Sequence, residues 1–258
     1  MAIVSSGPEQ KHAIRARARR VIGVFIVGVL IVASMYMYNY VTTANRFAIE
    51  KIELAGLSRV DPANLERLVD DLRGQNILLA PLDAVESRLE SQPRIASVEC
   101  RRVLPNRVVY NITEREPVAL VYTDRFFEID AAGMVMPGDS YTGLLDLPTI
   151  TGVAMDDVRA GRLCDDPMVR GALEALRVCR DLGAEFAGNI SELRATNTGI
   201  SIRSLRDDWV LLLGDGDYER RLRKFFLLRE ELVRRQEPGK LIDLRFENQV
   251  VLRASSGL

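Results

Sequence analysis

The chain has 258 residues, 47% hydrophobic and 28% charged, with a formal net charge of −1. That is enough apolar material for one large or two small packed domains, and it excludes a largely disordered chain. The charge is uneven: Lys11, Arg15, Arg17, Arg19 and Arg20 crowd the first twenty residues against Glu9 alone, and a basic head on a mildly acidic body excludes nucleic-acid binding, which needs a basic patch on the folded part.

Residues 1–20 form a basic tail, and from Val21 to Asn45 no residue is charged. About 20 apolar residues cross a ~30 Å hydrocarbon core, and Val21–Tyr40 supplies them. A mid-span Arg or Lys would cost roughly 2.5–3.5 kcal/mol, and none is present. Tyr36, Tyr38 and Tyr40 cluster at one end, as in an interfacial belt. Residues 21–45 are therefore expected to be a membrane anchor, embedded through 21–40, with residues 1–20 cytoplasmic and 46–258 on the other side. A cleaved signal peptide is the alternative; its apolar region is shorter, about 7–15 residues, and Val32-Ala33-Ser34 is a poor cleavage site.

Phe47–Ala55 reads as a strand ending at Gly56. Asp61-Pro62 starts a helix, a cap followed by proline at the first helical position. Leu65, Leu68, Val69 and Leu72 fall on one face, and Gly74 ends the helix. Asp83 and Glu86 form a capping pair for a second short helix, with Val85 and Leu89 inward, that stops before Pro93. In Ile95–Leu104 the positions Ala96, Val98, Cys100 and Leu104 make one strand face, broken by Arg102. Pro105-Asn106 turns the chain into Arg107–Arg115, where Val108, Tyr110 and Ile112 alternate with Val109, Asn111 and Thr113. The order β-α-α-β-β is a compact α+β unit.

After Pro117 come short strands at Val118–Tyr122, Phe126–Asp130 and Met134–Met136, then an extended piece between Leu147-Pro148 and Gly152. Pro167–Leu182 is a helix. Ile190–Thr196, Gly199–Arg203 and Trp209–Leu213 are strands. Tyr218 to about Arg235 is a long helix, with Tyr218, Leu222, Phe225 and Leu232 on a stripe that Arg229 interrupts. Leu241–Phe246 and Val250–Arg253 are two final strands, and 254–258 is a flexible end. This second unit is mostly antiparallel sheet with two helices.

The only histidine, His12, lies in the basic tail, so the outer part has no Ser-His-Asp or Cys-His mechanism and no His-containing zinc site. Cys100, Cys164 and Cys179 lack metal spacing. Cys164 and Cys179 are able to pair in an oxidising compartment, although all three also fit as small buried apolar residues. Gly214-Asp215-Gly216-Asp217 lacks the downstream glutamate of an EF-hand and reads as a turn with a helix cap. Asn111-Ile112-Thr113 and Asn189-Ile190-Ser191 match the glycosylation pattern, a frequent chance match, and are discounted. Glu114 and Glu116 lie on one strand face about 6–7 Å apart, a spacing that nominally suits a glycosidase pair. Arg115 separates them, Pro117 marks a strand exit, and no aromatic cleft is evident. No cofactor is implied.

The run PRIASVECRRVLPNRVVYNITEREPVALV resembles the end of a POTRA domain of the FtsQ/DivIB family of bacterial cell-division proteins. The carrying residues are Pro93, Arg102-Val103-Leu104-Pro105 and Glu114-Arg115-Glu116-Pro117-Val118-Ala119. Ile129-Asp130 with Gly133, Leu147-Pro148 with Gly152, Leu212-Leu213-Gly214 and Ile242-Asp243-Leu244-Arg245-Phe246 follow in family order, so the resemblance covers residues 47–253. Arg94 departs from it, since the family usually has an aromatic there, and looser local packing is expected. A POTRA domain at 46–116 and a β domain at 117–253 are implied, with Glu114, Arg115, Glu116 and Pro117 as a domain hinge. The lack of a long charged tail after residue 253 favours the FtsQ form over DivIB.

The resemblance implies a non-enzymatic scaffold of the divisome, anchored in the inner membrane with its outer domains in the periplasm. Its implied partners are FtsB and FtsL and, through them, the septal synthase FtsW/FtsI. If Val250–Arg253 lies at a sheet edge, its unpaired backbone groups are a template for a partner strand. The expected partner-binding residues are Arg245, Phe246, Asn248, Val250, Val251, Leu252 and Arg253; a strand paired on both sides is the alternative. Two other classes compete: a membrane-anchored cell-wall hydrolase using carboxylates, and a POTRA-type chaperone or secretion component.

Overall fold

The computed structural model describes residues 8–138, 146–207, 209–234, 240–247 and 249–254. Residues 1–7 of the tail, the helix end expected near Arg235, Asn248 and residues 255–258 of the expected flexible end lie outside them. The chain divides into two compact units: residues 1–55, 61–86 and 99–111 in one, residues 56–60, 87–98 and 112–258 in the other.

Helix α1, Pro8–Thr43, opens the first unit. Its segment Arg19–Thr43 has a mean hydropathy of 2.4, long and apolar enough to cross a membrane. Every residue from Arg19 to Tyr40 is exposed, which distinguishes α1 from a buried core helix and gives it the surface that lipid requires. The strand expected from Phe47 begins later, as β1, Lys51–Ala55. The backbone before it is engaged elsewhere. Ile49 pairs with Gln75 and Gly74, and the N–H groups of Glu50 and Lys51 both donate to the Asn106 carbonyl.

Helix α2, Pro62–Val69, starts where the sequence places it, with the Asp61 carboxylate accepting the Ala63 N–H at 3.0 Å. Leu65 and Val69 are buried, as is Leu72 in the 3-10 turn that follows. Helix α3, Leu82–Glu90, begins one residue before Asp83. Asp83 therefore sits inside the first turn, and the expected capping pair is replaced by the Pro81 carbonyl, which accepts the Ala84 N–H. Strands β2, Ile95–Val103, and β3, Arg107–Glu114, complete a three-stranded sheet in the order β1-β3-β2. β1 and β3 are parallel, in register from Lys51↔Arg107 to Ala55↔Asn111. The face expected along β2 is kept by Val98 and Cys100. Ala96 is exposed, and Leu104, in the turn past the strand's end, is exposed as well.

The second unit holds a nine-stranded sheet. Its strands are β4 Pro117–Tyr122, β5 Phe126–Asp130, β6 Val135–Pro137, β7 Thr149–Thr151, β8 Ile190–Thr196, β9 Gly199–Ser204, β10 Trp209–Gly214, β11 Lys240–Asp243 and β12 Val251–Ala254. Their order is β12-β11-β10-β9-β8-β7-β4-β5-β6. Five of the eight pairings are antiparallel; β4–β7, β7–β8 and β10–β11 are parallel.

One transverse row of residues crosses all nine strands: Pro137, Phe127, Val121, Ile150, Leu193, Ile202, Leu211, Ile242 and Leu252. Cross-strand partners share a face, so this row is the sheet's apolar spine. Helices α4, Pro167–Leu182, and α6, Tyr218–Arg234, cover it, and the short α5, Ala184–Ala187, leads from α4 into β8. Asp166 caps α4 by accepting the N–H groups of Met168 and Val169. Val169, Ala172, Leu176 and Cys179 of α4 and Tyr218, Leu222 and Phe225 of α6 are packed into one core with the row from Phe127 to Ile242. Phe186, Trp209, Phe225 and Phe226 stack within it, with ring centroids 4.8–6.0 Å apart.

Gly152 ends β7 at φ +83, and a Cβ there would run into the Ala195 carbonyl of β8. Gly152→Ala is expected to destabilise the protein by at least roughly 1–3 kcal/mol, read by urea unfolding; an unchanged midpoint would refute the close approach of β7 and β8.

Candidate functional site

Two places gather the residues that the sequence singles out. The first is the edge of the large sheet. Among the described residues β12 has β11 on one side and no strand on the other. β11 and β12 are antiparallel, from Lys240↔Ala254 to Asp243↔Val251. In such a ladder alternate residues bond the neighbour and the others point both backbone groups away. Half of β12 therefore presents unpaired N–H and C=O groups to an incoming strand.

Side chains give this edge two characters. Leu252 is the last member of the apolar spine and remains 43% exposed. Arg253 ends the neighbouring row, which runs Leu120, Thr149, Glu192, Arg203, Val210, Leu241, Arg253 on the opposite face, and it too is exposed. Phe246 is 41% exposed. Val251 is half-buried, and Val250, which precedes the strand, packs on the core. Arg245 is engaged within the chain, with Nε and Nη2 donating to the two carboxylate oxygens of Asp243 at 2.9 and 2.6 Å. These bonds hold the buried Asp243 carboxyl below its ordinary range, against the effect of burial. The turn before β12 is fixed to α6 by the Lys224 ammonium, which donates to the carbonyls of Phe246 and Glu247. One helical turn on from Lys224, Leu227 is 84% exposed and Leu228 38%. The sequence signal of this pair is two adjacent leucines on a helix whose inward stripe is already filled by Leu222 and Phe225.

The second place is the segment Glu114-Arg115-Glu116-Pro117. Glu114 ends β3, and its carboxylate accepts the N–H groups of Ser58, Arg59 and Val60 and the Ser58 hydroxyl at 2.8–3.1 Å. Partial burial works to raise its pKa, but the donors from Val60, Ser58 and Arg59 outweigh it and hold the carboxyl below the usual value. Glu116 is exposed. One member of the nominal acid/base pair is thus locked as an ionised acceptor, the opposite of what a general acid requires. The Arg115 guanidinium binds Asp130 at 2.9 Å, and the Asp130 carboxylate also accepts the N–H groups of Ala132 and Met134, shaping the turn at Gly133. Pro117 opens β4 opposite Asp130.

Arg94 lies in the same network. Its Nη1 and Nη2 bind the Glu128 carboxylate at 2.7 and 3.2 Å, and Nη2 also donates to the Pro137 carbonyl. Glu128, in the middle of β5, has no exposed surface. Where looser packing was expected, the departure from the family's aromatic is instead matched by a buried ion pair.

The remaining candidates resolve as structure. At Gly214-Asp215-Gly216 the chain wraps around Arg221, whose Nη1 donates to the carbonyls of Leu213, Asp215 and Gly216, so the oxygens that a bound cation would use already hold a guanidinium. Cys100, Cys164 and Cys179 are unpaired. Burial pushes the Cys179 thiol up to about 12, leaving it inert as a nucleophile. Asn189 is buried, bonded to Asp207 and Arg206.

Comparison with known proteins supplies the frame for these sites. Residues 47–115 match a family model described as "POTRA domain, FtsQ-type", and residues 119–245 match one described as "Cell division protein FtsQ/DivIB, C-terminal". A curated "Cell division protein FtsQ" from Myxococcus fulvus is 29% identical, covering 92% of this chain and 86% of the relative. Proteins of the same name from Anaeromyxobacter sp. and Streptomyces coelicolor are 28% and 30% identical, over 92% and 82% of this chain and 81% and 78% of the relatives. β12 lies past the end of the second match.

Two consequences are measurable. Arg94→Phe, although it restores the usual aromatic, is expected to cost roughly 3–5 kcal/mol, because it leaves Glu128 charged and buried without a cation. Arg94→Phe combined with Glu128→Met recovers most of that loss in urea unfolding; additive losses would refute the coupling. Because the folded Glu114 carboxyl is held below its ordinary value, the stability it contributes is complete above that ordinary value and is lost as pH falls through the lower folded value. Glu114→Gln is expected to cost roughly 1–3 kcal/mol at neutral pH and to flatten the acid limb of the stability profile; an unchanged acid limb would count against the cradle.

Proposed function

The chain belongs to the FtsQ/DivIB family of bacterial cell-division proteins, and on that premise we propose that it is a non-enzymatic scaffold of the divisome. In this reading α1 crosses the inner membrane once, with the N-terminus cytoplasmic and the folded domains in the periplasm at the division septum. The protein captures FtsB- and FtsL-like division proteins and, through them, links to the FtsW/FtsI synthase.

The observation that carries the proposal is the open edge at β12. Main-chain bonds to the outward-facing groups of β12 supply the affinity of an added strand. Register comes from side chains, because a one-residue slip exchanges the two faces. A partner strand places apolar residues beside Leu252, extending the spine, and polar residues beside Arg253. Phe246, together with the turn that Lys224 holds, forms the floor next to this strand. Arg245 contributes by fixing the end of β11 through Asp243. The segment Glu114–Pro117 acts as the joint between the POTRA and β domains, held by the donors to Glu114 and by the Arg115–Asp130 pair.

The test uses Val251→Pro and Leu252→Pro. Only one of these positions directs its N–H outward. Proline there removes a donor to the partner without touching the β11 ladder, so capture of an FtsB-type partner is lost in a pull-down while the unfolding midpoint holds. Capture unchanged by both substitutions in folded protein would refute strand addition. Depletion in the native cell is expected to give filaments with segregated DNA and no septa; normal septation would overturn the scaffold role.

A further inference from the structure

The last carbonyls of a helix have no partner within it and are satisfied by whatever lies at its end. At the C-terminal end of α1 that partner is Asn76. Its Nδ2 donates to the carbonyls of Val41 and Thr42 at 2.8 and 3.0 Å, while its Oδ1 accepts the Leu78 N–H at 2.9 Å. The Asn76 carbonyl also accepts the N–H groups of Leu79 and Ala80. One side chain thus ties the end of α1 to the loop that follows Asn76.

That loop is rigid and apolar on its outside. Ile77 is fully buried, its N–H donates to the Phe47 carbonyl, and Arg102 donates to the carbonyls of Ile77 and Ala80 from beneath. Leu78 and Leu79 are left 42% and 60% exposed. The β2–β3 turn reaches the same end of the small sheet, since the Asn106 carbonyl holds the N–H groups of Glu50 and Lys51, and it carries Leu104, 59% exposed. Arg46, just past α1, is exposed as well.

We propose that Leu78 and Leu79, with Leu104 beside them, dock into the interface of the bilayer on the side where α1 ends. The argument rests on the reading of α1 as a membrane span and commits to lipid as the occupant. Asn76 bonds directly to the last turn of the segment Arg19–Thr43, so Leu78 and Leu79 lie within a few residues of the plane where the chain leaves the membrane. Exposed leucines at that depth lose water contact by entering the headgroup–acyl boundary, while Arg46 remains at the level of the lipid phosphates. The anchor is then a span plus a foot, and the foot fixes the tilt and rotation of the small sheet on the membrane.

The experiment uses the full chain in vesicles of phosphatidylcholine and phosphatidylglycerol that carry a spin label near the headgroup. The single tryptophan, Trp209, is 8% exposed and gives a constant background. Leu79→Trp is compared with Tyr38→Trp in the span and with Leu205→Trp, an exposed site in the other compact unit. Docking predicts that Leu79→Trp and Tyr38→Trp lose emission to the lipid label and resist aqueous iodide, whereas Leu205→Trp behaves in the opposite way. Lipid quenching of Tyr38→Trp without that of Leu79→Trp leaves the span intact and overturns the foot. Absence of lipid quenching at Tyr38→Trp removes the premise and the proposal with it. Protection of Leu79→Trp from both quenchers assigns the leucines to a second copy of the chain and also overturns it.

Discussion

The second unit depends on one geometric constraint, the two-residue period of the strand, which keeps one row in register across nine strands while the irregularities at Pro117/Ala119, Ile190/Glu192 and Leu212/Gly214 fall outside that row. Every strand from β6 to β12 contributes one member to the row that begins at Pro137 and ends at Leu252. From Val121 to Ile242 the members are 0–1% exposed. A shift of one residue at Ile150, Leu193 or Ile202 would turn a polar or charged neighbour toward the helices in place of the apolar member. Mixed parallel and antiparallel pairings are tolerated because this parity is kept in both. Among the described residues the row ends at a strand with no further neighbour, so the feature that builds the core also leaves its last apolar residue partly exposed.

The polar groups divide into those that hold the scaffold and those left at the edge. Three sets of charge-assisted bonds hold the start of the large sheet: Glu114 with the N–H groups of residues 58–60, Arg115 with Asp130, and Arg94 with Glu128. A carboxylate accepting several backbone N–H groups and a guanidinium chelated by a buried carboxylate are positioning devices, because their lone pairs and donors are already committed. Arg253, Phe246 and Leu252 are not committed in this way. Residue type alone does not separate the two classes: Arg245, two residues past Asp243, is hydrogen-bonded to its carboxylate, whereas Arg253 acts on that carboxylate only by its charge.

Local chemistry was readable wherever neighbours in sequence decide the outcome. Asp61-Pro62 starts α2, and Ile190–Thr196 and Gly199–Arg203 alternate as strands, because capping and periodicity act over a few residues. The β-α-α-β-β order followed from the same signals. The errors arose where distant chain competes. Residues 47–50 carry strand-like residues, yet their backbone is bonded by Gly74, Gln75 and Asn106. Asp83 looked like a cap, but the helix begins at Leu82. The order of the nine strands, the edge position of β12 and the role of Asn76 at the end of α1 had no local signature, since each is a pairing between residues far apart in the chain.

Arg94 and Glu128 stand 34 positions apart and occupy one another's bonding capacity. Replacing either one alone leaves the other's charge without its partner. A lineage that replaces the arginine by an aromatic while keeping the glutamate passes through a less stable ancestor, and the reverse order strands a cation instead. Sequences that bear the arginine should therefore bear an acid at the matching place in β5, and the two should be gained and lost together.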